Sequence, residues 1–235
     1  MNKVVLSFLR SAFAAVNASA AVLYSPTVIS ASPRSSDYGS VSGSGFRTFD
    51  IFTLAESSFV ERATWSALWF DGANPDPAPA PSPDVTTWEI SFYADNAGTP
   101  GTLLSSLLFA PASVTSTFQG NGVLSAGGTF NAAFYEYAVD LTSPFSATAG
   151  AQYWISILAR SDNFYPAFAW RGATGGDDSS YQQTLGAGES VQSATAVARD
   201  RAVVLEGSSV PEPGTFGLVA GALLLLPLAN RLRRR

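Results

Sequence analysis

Apolar and polar positions alternate strictly in two stretches of the chain. In residues 88–94 (WEISFYA) the tryptophan, isoleucine and phenylalanine share one face, and in residues 135–141 (YEYAVDL) the tyrosines, valine and leucine do. A period of two predicts β-strands that turn one face toward a core. Residues 152–159 (QYWISILA) are apolar on both faces. This third stretch predicts a central strand that is covered on both sides.

Weaker strand signals surround these three stretches. Six shorter apolar runs are bounded by Gly, Pro, Asn or Asp, at residues 46–54, 59–70, 103–109, 165–171, 181–185 and 201–206. No long helical period interrupts them, so nine short strands predict an all-β domain over residues 46–207, an antiparallel β-sandwich of jelly-roll type. Residues 21–45 are rich in Ser, Gly and Pro, and predict a flexible or edge-strand lead-in.

The first 20 residues have the pattern of a secretory signal peptide. Lys3 provides a basic start, an apolar run interrupted by Arg10 follows, and Ala18-Ser19-Ala20 has the small-x-small form that signal peptidase accepts. We therefore expect cleavage after Ala20. The alternative interpretation is an ordinary N-terminal helix of the domain.

The last segment, residues 208–235, has three physical parts. Pro211 and Pro213 bracket Glu212 in a stretch that disfavours helix. Residues 214–230 then form a run of 17 residues without a charge, at the short limit for a membrane-spanning helix. An arginine cluster ends the segment: Arg231, Arg233, Arg234 and Arg235. The positive-inside rule keeps these arginines cytoplasmic and the preceding domain outside, as the signal peptide does.

The order of these parts resembles a known sorting signal. Val210-Pro211-Glu212-Pro213, a short apolar segment and a terminal arginine cluster are similar to the PEP-CTERM signal of Gram-negative bacteria, over about 26 residues. The resemblance implies export by Sec and signal peptidase, transient anchoring in the inner membrane, and cleavage by an exosortase that recognises residues 210–213. The released protein would reach the cell surface or a biofilm matrix containing exopolysaccharide. A permanent anchor that is never cut remains the alternative.

A second resemblance concerns the body of the chain. The turn that contains Asp95, the Tyr153-Trp154 strand, Phe168-Ala169-Trp170 and the closing Leu205-Glu206-Gly207 are similar to a β-sandwich domain of many exported bacterial proteins. This resemblance implies the fold and no particular activity.

The amino-acid composition excludes several classes of catalytic and metal-binding site. Cysteine and histidine are absent and Lys3 is the only lysine, which excludes disulfides, Ser-His-Asp triads, Cys/His zinc sites and lysine Schiff bases in the mature domain. Between residues 21 and 210, seven arginines stand against seventeen aspartates and glutamates, a net charge of −10. Such an acidic body has no electrostatic footprint for nucleic acid. We expect no cofactor.

Few side chains remain as candidates for chemistry. Glu89 and Glu136 could serve a carboxylate-dependent glycan-active enzyme, which needs no histidine. Trp170 could stack on a sugar ring if it is exposed. Four residues in turns are weak candidates for calcium ligands: Asp95, Asn96, Asp177 and Asp178. Ordinary turn chemistry and strand-face solvation explain most of these residues, so we expect a non-enzymatic surface or matrix protein.

Overall fold

The computed structural model describes residues 20–29, 32–70, 85–125, 129–163 and 166–210. Most of these residues are in strands. In chain order the strands are β1 (Ala21–Tyr24), β2 (Thr27–Val28), β3 (Arg34–Ser35), β4 (Asp37–Gly39), β5 (Ser44–Thr53), β6 (Ser58–Phe70), β7 (Val85–Asp95), β8 (Pro100–Phe109), β9 (Thr115–Ser125), β10 (Thr129–Ala147), β11 (Gln152–Ser161), β12 (Ala167–Trp170), β13 (Gly172–Thr174), β14 (Ser179–Leu185), β15 (Val191–Ala198), β16 (Asp200–Arg201) and β17 (Val203–Ser209). Two short 3₁₀ turns, Pro111–Ser113 and Ala187–Glu189, are the only helical elements in this part of the chain.

The strands form two large sheets and one small one. Sheet 1 has the order β1-β17-β6-β10-β9, with β12 pairing the end of β6 and β3 pairing β12. Sheet 2 has the order β15-β14-β5-β4-β11-β7-β8, and β16-β13-β2 is a small third sheet. The pairing is antiparallel throughout the described strands except between β4 and β11. The expected all-β, antiparallel architecture is confirmed.

Sheets 1 and 2 share one apolar core. Trp65 on β6 lies 5.4 Å, centroid to centroid, from Trp88 on β7. Farther along, Phe92 on β7 stacks on Phe145 of β10 at 4.2 Å. Because β7 belongs to sheet 2 while β6 and β10 belong to sheet 1, these contacts join the faces that the alternating sequence pattern assigned to the core. The central position of β11, between β7 and the β4–β5 pair, is also as expected.

The nine predicted strands all occur, as β5 to β8, β10 to β12, β14 and β17. Of the two interpretations of residues 21–45, a flexible or an edge-strand lead-in, the structure shows strands, and β1 lies at an edge of sheet 1. This segment supplies four short strands and the start of β5, and Ser36, Asp37 and Tyr38 are buried. The serine-rich composition is misleading because Ser36 is buried and satisfies two backbone groups, donating from Oγ to the carbonyl of Ile157 and accepting from the amide of Thr48.

No helix in residues 20–210, so far as the structure describes them, is long and apolar enough to cross a membrane. Most of the predicted signal peptide, residues 1–19, lies outside the described residues. So does the predicted anchor, from Pro211 onward.

Candidate functional site

The two ends of the folded domain lie side by side. β1 is antiparallel to β17, and Ala21 is in register with Gly207. The backbone amide of Val210 donates to the carbonyl of Ser57 at 2.7 Å, which fixes the chain up to the residue before Pro211. At the other end Ala20 is exposed and β1 begins at Ala21. Both predicted processing sites therefore border the folded domain at the same end of sheet 1.

Close backbone packing secures β17 in the sheet. Leu205 is fully buried in the core. An added Cβ on Gly207 would lie 1.8 Å from the carbonyl oxygen of Phe59 on β6, at the register shift between Glu206 and Gly207. The Leu-x-Gly pattern that closes the domain in the sequence thus has a structural cause. Gly207 lets β17 approach β6 closely, and β17 then ends at Ser209, just before Val210.

Of the predicted sorting and processing residues, the structure describes Ala20 and Val210. Ala18, the Pro211-Glu212-Pro213 motif and the terminal arginines (Arg231, Arg233, Arg234 and Arg235) lie outside the described residues. Their roles stay predictions.

The two candidate catalytic glutamates do not form a pair. Trp88 on β7 and Tyr137 on β10 pack together across the core, with ring centroids 5.1 Å apart. Glu89 and Glu136 are their chain neighbours, and alternation points each glutamate away from the core on the outer face of its own sheet. The carboxyls thus lie on opposite sides of the two-sheet body, whereas a glycosidase needs both beside one glycosidic bond.

Glu89 is buried in an ion-pair network on the outer face of sheet 2. Arg47 on β5 donates to its Oε1 at 2.7 Å and to the hydroxyl of Tyr93 at 2.8 Å. Arg160 on β11 also pairs with Glu89, and both arginines pair with Glu189 from the turn between β14 and β15. The network neutralises its own charge and fastens that turn to the sheet.

The arginines decide the ionisation of Glu89. Burial alone would raise its pKa, but Arg47, Arg160 and the hydroxyl of Ser91 lower the pKa of Glu89 to about 2. A carboxyl held ionised in this way cannot serve as a general acid near neutral pH. Sequence alternation had predicted a solvated glutamate. The partners Arg47 and Arg160 carry no local signal, because they meet Glu89 only after β5, β7 and β11 come together.

A second cluster of carboxyls borders an open depression of about 340 Å³, which is lined by Tyr24, Gly176 and Asp177 among others. Asp200 accepts from the backbone amides of Gly176 at 2.9 Å and Asp178 at 2.8 Å, and so shapes the loop. Burial and the nearby Asp200 raise the pKa of Asp177 to about 6.

Asp50 lies beneath this loop. It is fully buried and accepts from the backbone amide of Arg201 at 2.8 Å and from the hydroxyl of Tyr24 at 3.4 Å. Burial raises the pKa of Asp50 well above its usual range, with Asp200 acting in the same direction. Neither Asp50 nor Asp200 stood out in the sequence, because Asp50 is an isolated aspartate in an apolar stretch and Asp200 lies between Arg199 and Arg201.

The predicted calcium ligands serve as turn and pairing residues. Asp95 accepts from the amide of Gly98 at 3.1 Å and from the indole nitrogen of Trp154 at 2.8 Å. Asn96 exchanges backbone hydrogen bonds with Thr99 across the same turn, and Asp178 lies 3.8 Å from the guanidinium of Arg199. Among the described residues, no group of three or more acidic side chains has an arrangement that could hold a metal ion.

Trp170 was a candidate for stacking on a sugar ring only if exposed, and it is not exposed. Its side chain is fully buried between the sheets, and its indole nitrogen donates to the carbonyl of Ala202 at 3.0 Å. The other four tryptophans are also at most 3% exposed. In a domain without disulfides the large aromatic side chains fill the core, so no indole is free to stack on a sugar.

Comparison with known proteins adds no relative. No protein-family model matches the sequence, and no curated protein or solved structure matches it.

Proposed function

We propose that the chain is an exported, non-enzymatic protein of the bacterial cell surface or extracellular matrix. The signal peptide, residues 1–20, directs it through the Sec pathway. A hydrophobic helix within residues 214–230 then holds it transiently in the inner membrane, and an exosortase cuts the tail at the motif that Val210, Pro211, Glu212 and Pro213 form. The exported body is a sandwich of jelly-roll type, and exopolysaccharide is its proposed matrix partner.

One observation carries this proposal. The sequence pattern puts a cleavage site after residue 20 and a sorting motif from residue 210, and in the described part of the chain the first strand begins at Ala21 and the last strand ends at Ser209. Because β1 and β17 are antiparallel neighbours, the start of β1 and the end of β17 lie at the same end of the domain. This arrangement lets a folded domain stand on one side of a membrane while both of its ends face the bilayer. If residues 1–20 were instead an ordinary N-terminal helix packed into the core, the two ends of the domain would not need to lie side by side.

The chemistry of the body agrees with a role in binding or assembly. Glu89 is engaged by two arginines, Glu136 lies on the opposite face, and the carboxyls around Asp200 hold backbone amides of a loop. These groups maintain the fold. An acidic, disulfide-free domain also suits an exposed position in a hydrated matrix, where charge keeps copies soluble.

The proposal is tested by changing the motif in the native host. Substituting Pro211→Ala, Glu212→Gln and Pro213→Ala together removes the recognition residues and leaves the described domain untouched. We expect the released fraction to disappear and the full-length chain to accumulate in the membrane. Ser209→Ala, on the exposed last residue of β17, is the matched control and should be released normally. Undiminished release of the triple variant would contradict the proposal.

A further inference from the structure

One long part of the chain has no charge. From residue 96 to residue 135 there is no Asp, Glu, Lys or Arg, although residues 21–210 carry a net charge of −10. This stretch contains β8 and β9. Each is the last strand of its sheet, β8 in sheet 2 and β9 in sheet 1. An acidic body thus has two neighbouring sheet edges at which no side chain is charged.

β8 is an unpaired edge with exposed leucines. It pairs with β7 on one side and has no second neighbour among the residues that the structure describes. The pairing is regular from Ser105 to Phe109. Leu108 is 63% exposed, Leu103 51% and Leu104 49%. Three large apolar side chains therefore lie in solvent along a single short edge strand.

Edge strands usually carry protection against pairing with another chain, such as lysines, prolines, bulges or inward-pointing charges. In β8 such protection is limited to one end, where Pro100 and the irregular register near Leu103 lie. The regular half, Ser105–Phe109, has none. β15, at the opposite edge of sheet 2, differs because it lacks leucine and has charged residues close to both ends, Glu189 before it and Arg199 after it.

We infer that β8 pairs antiparallel with β8 of a second copy of the chain, so that sheet 2 continues across a two-fold axis. An antiparallel strand pair is self-complementary, since each copy presents the same edge to the other. Two bodies of net charge −10 repel each other, and the repulsion is weakest where both surfaces are uncharged. Pairing also removes the exposed leucines from water. This self-association goes beyond export and sorting, and does not depend on them.

The absence of cysteine gives a direct test in the full-length chain. Leu108→Cys puts one thiol on the β8 edge, and Thr195→Cys puts one on the exposed β15 edge as a matched control. Each variant is made in the native host and treated with a short bismaleimide. We expect a cross-linked product of twice the chain mass for Leu108→Cys, and none for Thr195→Cys.

Three results would overturn the inference. One is the absence of a cross-linked product for Leu108→Cys. Another is an equal yield from both thiols, which would indicate random collision or proximity through the membrane segments. The third is a cross-linked product of a mass other than two chains, which would assign the edge to a different partner.

A charge on the edge gives an independent check. Adding Leu103→Lys to the Leu108→Cys chain puts an unpaired cation at the interface, and we expect the cross-linked dimer to be lost. Adding Thr195→Lys instead should leave the dimer unchanged. The protease resistance of both variants is measured to check that each chain is folded. A dimer that persists with Leu103→Lys in a folded chain, or disappears with Thr195→Lys, would contradict pairing through β8.

Discussion

At the scale of single residues, sheet 2 holds buried carboxyls in two different settings. On its outer face Glu89 lies between Arg47 and Arg160, and Glu189 pairs with both arginines. Asp37 on β4 and Asp50 on β5 are fully buried and accept hydrogen bonds from backbone amides, and burial raises the pKa of each. Buried carboxyls therefore have opposite pKa shifts in one small domain, and this has measurable consequences.

Glu89→Gln should destabilise the fold by roughly 2–4 kcal/mol at pH 7, because two arginines lose a buried carboxylate partner. The effect has a defined pH window. The pKa of Glu89 is lowered to about 2, so its contribution is complete above the usual glutamate pKa of about 4.3 and disappears as the pH falls toward 2. Denaturant unfolding at several pH values measures both effects.

Glu136→Gln is the matched control for this change, since Glu136 is an exposed glutamate on the outer face of sheet 1. Its substitution should alter the free energy of unfolding by no more than about 0.5 kcal/mol. Equal effects of the two substitutions would show that the network contributes nothing specific.

Asp37→Asn should flatten the pH dependence of stability between about pH 4 and pH 7. Burial raises the pKa of Asp37 to about 7, although the amide of Phe168 and the hydroxyl of Ser161 donate to it. In this window the unfolded chain releases the proton that the folded chain retains, so wild-type stability falls as the pH rises, by at most about 1.4 kcal/mol per unit from this group. The substituted amide cannot titrate, so that part of the slope disappears.

The nearby exposed Asp162, changed to asparagine, serves as the control for removing one carboxylate from this part of the chain. Asp50 and Asp177 also have raised pKa values, so part of the wild-type slope will remain in Asp37→Asn. An identical slope in the wild type and Asp37→Asn would mean that Asp37 is ionised in the folded state.

At the scale of elements, the sequence predicts those strands that bury a face. β7 and β10 alternate because one side of each meets the core, and β11 has apolar residues on both faces between Tyr153 and Ala159 because this part of the strand is covered on both sides. β9 and β15 escaped prediction because each is an edge strand on which most side chains are exposed, which removes the constraint that produces alternation. The short strands β1 to β4 were missed because two to four residues are too few to show a period.

The same physical reason limits what the sequence predicts about the candidate sites. The predicted ends of the domain rest on local signals, a small-x-small site and a proline pair, which a sequence shows directly. The partners of Glu89 come from strands far apart in sequence, and the exposure of Trp170 depends on the packing of two sheets. Neither follows from a local pattern.

Gly207→Ala should destabilise the domain by roughly 2–4 kcal/mol, because the new methyl group would collide with the carbonyl of Phe59 and push β17 away from β6. Thermal unfolding followed by circular dichroism measures the loss. Ser208→Ala, the next residue on the same strand, loses one hydrogen bond to Glu61 and should cost about 1 kcal/mol or less. A Gly207→Ala chain as stable as the wild type would show that β17 is not held by this close approach.

At the scale of the whole molecule, three properties fit together. The body is acidic, its uncharged flank is confined to β8, β9 and the segments around them, and its two ends emerge side by side. We propose that the two terminal segments direct export and sorting, and that the uncharged flank mediates self-association once the protein is released. Delivery comes first, because a matrix role requires that the domain leave the membrane.

Export and sorting are tested by the intact mass and terminal peptides of the protein recovered from its native host, in the membrane and the released fractions. We expect a released chain that starts at Ala21 and ends near Pro213. A membrane-bound chain that keeps Arg235, with no released form, would contradict sorting and leave a permanently anchored protein. A chain that also keeps Met1 would contradict export itself.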